Sequence, residues 1–138
     1  MIKSRNIDCD APFTNNTYGF MPFGINPKTA TVTARTADTT LTAANFNAIT
    51  TNAGDSGAQV LTLPAALTTK GMALRVVTLA AFTITLTPAT GEKIWLNGSG
   101  VASKYAITAG VIGDFLELYS DGTDYIITNY SGVVTKEA

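Results

Sequence analysis

Histidine is missing from all 138 residues. Nucleophilic catalysis by serine or cysteine ordinarily needs a neighbouring base, and histidine plays that part in the Ser-His-Asp arrangement. With one cysteine only, Cys9, the chain also has no His/Cys set for zinc and no intrachain disulfide framework. Charge is scarce: 14% of residues, nine basic and ten acidic, for a net charge of −1. An average soluble domain is roughly 25% charged. The near balance gives no basic footprint for nucleic acid. Long apolar runs are lacking too. The stretch 72–81 is interrupted by Arg75 and Thr78, well short of the roughly 20 residues that a membrane helix needs. Neither a nucleic-acid partner nor a membrane span is expected, and no cofactor. Residues 1–8 lack the apolar core of a secretory signal, which fits cytoplasmic synthesis.

What is present is apolar and neutral. Hydrophobic residues make up 46% of the chain, and Thr, Ser and Asn supply most of its polarity. Interspersed charge is what normally keeps proteins apart, so this surface is expected to be covered in part by neighbours. The length suits one domain with its own core.

The chain divides at about residue 30. Residues 1–30 hold Pro12, Pro22, Pro27, Gly19 and Gly24, which oppose a long helix or a central strand. They also hold Phe13, Tyr18, Phe20, Met21 and Phe23, too much apolar surface for a solvated tail. An extended arm that lays these side chains on another surface reconciles the two facts; packing back on its own domain does so equally. Residues 31–138 read as a β domain. Runs at 31–35, 46–52, 59–63, 72–78, 82–87, 93–96 and 104–108 are strand-like, and 38–45 suits a short helical turn capped by Asp38 or Thr39. Residues 72–78 and 82–87 read as paired strands. The alternating runs 115–120 and 125–130 around Asp121-Gly122 are the strongest hairpin signal. Residues 132–138 are a loose end or an edge strand. Many short strands at this spacing predict an all-β, jelly-roll-like sandwich or barrel.

Candidate chemistry is thin. Gly54-Asp55-Ser56-Gly57 looks like the nucleophile segment of chymotrypsin-like proteases, but without a base it reads as a turn in which Asp55 bonds its own backbone. The candidate carboxylate pairs are Asp121 with Asp124 and Asp114 with Glu117, and turn preference accounts for the first. No run matches a calcium loop, so no metal site is expected. Lys3, Arg5, Asp8 and Asp10 read as rim charges. Trp95 suits core or interface better than a stacked sugar. Asn15-Asn16-Thr17, Asn97-Gly98-Ser99 and Asn129-Tyr130-Ser131 match the glycosylation pattern by composition. No catalytic residues are assigned.

Leu41-Thr42-Ala43-Ala44, Gln59-Val60-Leu61-Thr62-Leu63-Pro64, Lys70-Gly71-Met72, Phe82-Thr83-Ile84-Thr85-Leu86-Thr87-Pro88, Gly91-Glu92-Lys93-Ile94 and the closing segment from Asp114 to Tyr125, taken in order, resemble a β-domain of tailed-bacteriophage virion proteins. That domain is found in small capsid decoration (cement) proteins and in fibre modules. The resemblance covers roughly residues 40–130, with Tyr125 as the aromatic after the Asp-Gly turn. It implies a non-enzymatic homotrimer on the capsid exterior, whose partner is the major capsid protein of a phage head. A head or tail fibre module that binds a host receptor or glycan is the alternative. Phe13, Tyr18, Phe20, Met21 and Phe23 are the expected anchors, since aromatics dominate interface hot spots.

Overall fold

A computed structural model describes residues 30–101, 104–107 and 111–137. Within them the chain is all-β, apart from two single-turn 3-10 segments at Ala43–Asn45 and Ala66–Thr69. The strands are β1 Val32–Ala34, β2 Thr39–Thr40, β3 Ala48–Thr51, β4 Gln59–Thr62, β5 Ala73–Val77, β6 Ile84–Thr87, β7 Ile94–Leu96, β8 Ser99–Val101, β9 Lys104–Ile107, β10 Phe115–Ser120, β11 Tyr125–Tyr130 and β12 Val134–Glu137. A seven-stranded sheet runs β1-β3-β5-β10-β11-β7-β8, and a five-stranded sheet runs β12-β9-β6-β4-β2.

The first seven strands alternate between the two sheets. Each strand crosses to the opposite layer, so strands two apart in sequence become parallel neighbours: β1, β3 and β5 in one sheet, β2, β4 and β6 in the other. After β7 two antiparallel hairpins, β7–β8 and β10–β11, form within the seven-stranded sheet, while the chain still crosses between sheets from β8 to β9, β9 to β10 and β11 to β12. Asn97 and Gly98, both at positive φ (51° and 82°), make the two-residue turn between β7 and β8, as an Asn-Gly pair does in a type I′ hairpin. The β10–β11 hairpin forms over the expected residues, with a register shift between Glu117 and Leu118.

Alternation places the core between the layers. Leu74, Val76, Leu116, Leu118 and Tyr125 project inward from the seven-stranded sheet, and Leu61, Ile84 and Leu86 from the five-stranded one; all are at most 1% exposed. Burying each contributes about 1.5–3 kcal/mol. Leu41, Phe46 and Leu63 close the core from the connections.

Three sequence expectations change. Residues 72–78 and 82–87 do not pair: β5 and β6 lie in different sheets. Alternation reveals which side of a strand is apolar, and two strands facing one core from opposite layers carry the same signal as a hairpin. The helical turn is Ala43–Asn45, capped by Thr42, whose backbone N–H is held by the Asn45 side chain at 2.8 Å; Asp38 instead accepts from the Val60 N–H at 2.8 Å. The strand order also differs from the antiparallel Greek-key winding of a jelly roll. Among the described residues, parallel pairs join β1–β3, β3–β5, β2–β4, β4–β6 and β7–β11. The end of the chain is an edge strand, β12, paired to β9.

Candidate interaction surfaces

The outer sides of the two sheets differ in chemistry. On the five-stranded sheet, Val60 and Thr62 alternate with the buried Gln59 and Leu61. Register places Thr40, Thr62 and Thr87 in one row across β2, β4 and β6, with Val60 beside Thr85. Neighbours in such a row stand about 4.5–5.5 Å apart. No charged residue lies in β2, β4 or β6. The Thr87 hydroxyl is buried without a hydrogen-bond partner.

The outer side of the seven-stranded sheet is largely apolar, with Thr51, Arg75, Glu117 and Asn129 set among its apolar side chains. Val32 pairs with Ile49, Ile49 with Arg75, Val77 with Phe115, and Tyr119 with Ile126, which pairs in turn with Trp95. Val32 is 62% exposed. Across β3, β5 and β10 the only charges are Arg75 and Glu117, and they neutralise each other. Arg75 Nη2 and Nε donate to Glu117 Oε2 at 2.7 and 3.0 Å, and the guanidinium carbon lies 4.9 Å from the Phe115 ring centre. A half-exposed pair of this kind contributes about 0–1 kcal/mol; its larger effect is to remove charge from the face. Beside it, Ala30, Ala48, Ile49, Ala73, Arg75 and Glu117 line a groove of about 210 Å³. A second hollow of about 460 Å³ lies between Ala30, Ala43, Phe46 and Met72.

At one end of the sandwich, polar groups hold the connections. Tyr125 Oη donates to the Pro64 carbonyl at 2.7 Å and lies 2.9 Å from Thr69 Oγ1. Ser120 Oγ donates to the Ala66 carbonyl at 2.6 Å. Both Glu92 carboxylate oxygens accept from the Ala66 N–H at 2.9 and 3.0 Å. Burial pushes the Tyr125 hydroxyl above the usual tyrosine range; the Thr69 hydrogen bond works against that shift, and the nearby Glu92 charge adds to it. This network anchors the 3-10 turn Ala66–Thr69 to the hairpin.

The carboxylates singled out from sequence are each engaged. Asp121 Oδ1 accepts from the Thr123 and Asp124 N–H groups at 2.7 and 2.8 Å. The Asp124 and Thr123 amides hold its carboxyl below the usual range, with Lys70 adding a smaller pull. Asp124 accepts from the Lys93 N–H and from Trp95 Nε1, both at 2.9 Å, so Trp95 is tied to the hairpin tip, with Lys93 Nζ 5.9 Å from its ring centre. Ser131 Oγ donates to Asp114 Oδ1 at 3.2 Å, and Glu117 pairs with Arg75. Asp55 bonds its own turn, accepting from the Ser56 and Gly57 N–H groups at 2.8 and 3.3 Å and from Gln59 Nε2. The Gln59 side chain does most to hold the Asp55 carboxyl below the usual range. No three of His, Cys, Asp and Glu gather into a metal-binding group among the described residues. No described helix is long and apolar enough to cross a membrane. Phe13, Tyr18, Phe20, Met21, Phe23, Cys9, Lys3, Arg5, Asp8 and Asp10 lie outside the described residues.

Sequence reasoning missed Asn52. Its fully buried amide accepts from Leu79 and Ala80 N–H at 2.7 and 2.9 Å, and donates to the Ala80 and Phe82 carbonyls at 2.9 and 3.3 Å. Those partners lie about thirty positions away in sequence, so no local pattern announces them.

No known protein-family profile matches the chain, and no curated protein matches it.

Proposed function

We propose that this protein is a virion structural protein, a capsid decoration or cement protein of a tailed phage that trimerises and clamps neighbouring subunits of the major capsid protein on the particle exterior. The observation that carries the reading is the charge-free Val- and Thr-lined outer side of β2, β4 and β6. Such a face can meet copies of itself without like-charge repulsion or the desolvation cost of buried ions. In this reading the chain makes and breaks no bonds. Three linked weak contacts act as one strong clamp, because the second and third form at high effective concentration. In this reading Phe13, Tyr18, Phe20, Met21 and Phe23 supply the particle contacts.

The test is the solution mass of the purified chain followed by co-sedimentation with phage heads. A mass three times the 14.4 kDa protomer and co-pelleting are expected, with Phe13→Ser combined with Tyr18→Ser weakening particle binding at least tenfold. A monomer that ignores particles would overturn the proposal. Glycan binding that Trp95→Ala abolishes would replace it with the fibre-module alternative.

A further inference from the structure

We infer that Asn97 is a site of spontaneous deamidation, and that its conversion to isoaspartate releases the edge strand β8. Asn97 and Gly98 are both exposed and form the β7–β8 turn at φ 51° and 82°. The other described asparagines use their side chains. Asn45 holds the Thr42 N–H at 2.8 Å, and Asn47 Oδ1 accepts from the Ala73 N–H at 3.2 Å. Asn52 is engaged with the segment 79–82. Asn129 Oδ1 accepts from the Tyr130 N–H at 3.0 Å, which occupies the nitrogen that would have to attack. Each of these four also precedes a residue with a Cβ. Among the described residues nothing bonds the Asn97 side chain or the Gly98 N–H.

Asp121-Gly122, at the β10–β11 tip, supplies the contrast. Asp121 Oδ1 is held by the Thr123 and Asp124 N–H groups, and the Gly122 N–H donates to Ser120 Oγ at 3.1 Å. Both reacting groups are occupied, and those amides favour the ionised carboxylate, a poor electrophile.

The chemistry at Asn97 needs only water. The Gly98 nitrogen attacks Asn97 Cγ, and a C–N bond forms. The side-chain nitrogen leaves as ammonia, taking the Gly98 proton, and a succinimide closes. Water opens that ring at either carbonyl. One opening leaves aspartate; the other leaves isoaspartate, with the main chain running through the former side-chain carbonyl. Gly98 suits the attack because no Cβ restricts the rotation that brings nitrogen to carbon. β8 permits that rotation: it has three residues, lies at the end of its sheet and pairs with β7 alone. Such an edge opens locally at low cost. Isoaspartate adds one carbon to the main chain of the turn, and the turn sets the hairpin register. The pairing of Leu96 with Ser99 and of Trp95 with Gly100 is therefore lost. None of this depends on the particle-binding reading.

The experiment ages the full-length protein in mildly alkaline buffer. Digestion, mass spectrometry and labelling by isoaspartyl methyltransferase then locate the products. Asn97 should convert several-fold faster than Asn45, Asn47, Asn52 and Asn129, with isoaspartate at 97 and none at Asp121. Conversion of any of those four at the rate of Asn97, or isoaspartate at Asp121 matching that at 97, would overturn the inference. Hydrogen exchange of the aged protein should show β8 amides exchanging several-fold faster, with β10 and β11 unchanged. Unchanged β8 protection would overturn the release of the strand. Asn97→Gly keeps a turn-compatible residue and cannot close the ring, so its β8 should stay protected through the same ageing. Equal loss of protection in that variant would trace the release to another lesion and defeat the assignment.

Discussion

Asn52 shows how one side chain can fix a connection that local preference leaves open. Both amide protons and both lone pairs of its carbonyl are used, on backbone groups of the segment between β5 and β6. An asparagine side chain has no further hydrogen-bonding capacity. That segment carries the chain from one sheet to the other, and the Asn52 amide supplies partners for its Leu79, Ala80 and Phe82 backbone groups. Asn52→Ala would take the partner from the Leu79 and Ala80 N–H groups and the Phe82 carbonyl in a part-buried setting, while the Ala80 carbonyl keeps the Phe82 N–H at 2.7 Å. Each unsatisfied buried group costs about 1–3 kcal/mol, and partial rehydration limits the total, so a loss of about 3 kcal/mol is expected in denaturant titration. Asn45→Ala removes a side-chain bond at an exposed 3-10 cap and should cost less than about 1 kcal/mol.

Among the described glycines, Gly132, between β11 and β12, has the closest neighbour. Gly132 has φ 80°, and a Cβ there would lie 2.1 Å from an Asp114 carboxylate oxygen. The same carboxylate accepts from Ser131, whose hydroxyl also accepts from the Phe115 N–H at 3.2 Å. Moving Asp114 aside would therefore loosen the start of β10. Gly132→Ala combines left-handed backbone strain of about 1 kcal/mol with that displacement, so a destabilisation of about 2–3 kcal/mol is expected. Gly57 sits in open space without a positive φ, and Gly57→Ala should change stability by less than about 0.5 kcal/mol. Equal thermal shifts for the two variants would contradict this account of the junction.

For the whole molecule, the missing histidine sets the response to pH. No side chain of the chain has an ordinary titration between about pH 5 and 8, so stability should be flat across that range. The folded state raises the Tyr125 hydroxyl above its usual value near 10.0. The native protein keeps this proton where the unfolded chain releases it. The contribution is therefore complete below about pH 10 and declines as pH rises further. Asp121 is lowered from 3.8, so its contribution is present above about pH 4 and is lost as pH falls. Urea midpoints across pH should form a plateau with two falling limbs. Tyr125→Phe should make the alkaline limb shallower and Asp121→Asn the acid one, with the raised Tyr105 hydroxyl and the lowered Asp55 carboxyl supplying part of what remains. A midpoint that moves between pH 5 and 8 would contradict the assignment.

Strand-like runs, the Asp-Gly hairpin of β10 and β11, the Asp55 turn and the neutral character of the surface are all legible in the amino-acid order. They depend on neighbours within a few positions: side-chain alternation, turn residues and composition. Which sheet each strand joins is not legible there. Ile84 and Leu74 show the same inward alternation although they enter the core from opposite sheets. The parallel pairing of β1, β3 and β5, the asymmetry between a threonine-lined and a largely apolar outer face, and the reach of Asn52 across to Ala80 and Phe82 emerge only on folding. Local periodicity tells a strand which of its sides must leave water. It carries no record of the partner, because any apolar face in the same chain meets that demand. The choice among partners rests on long-range packing and on backbone groups that must find hydrogen bonds once they are buried.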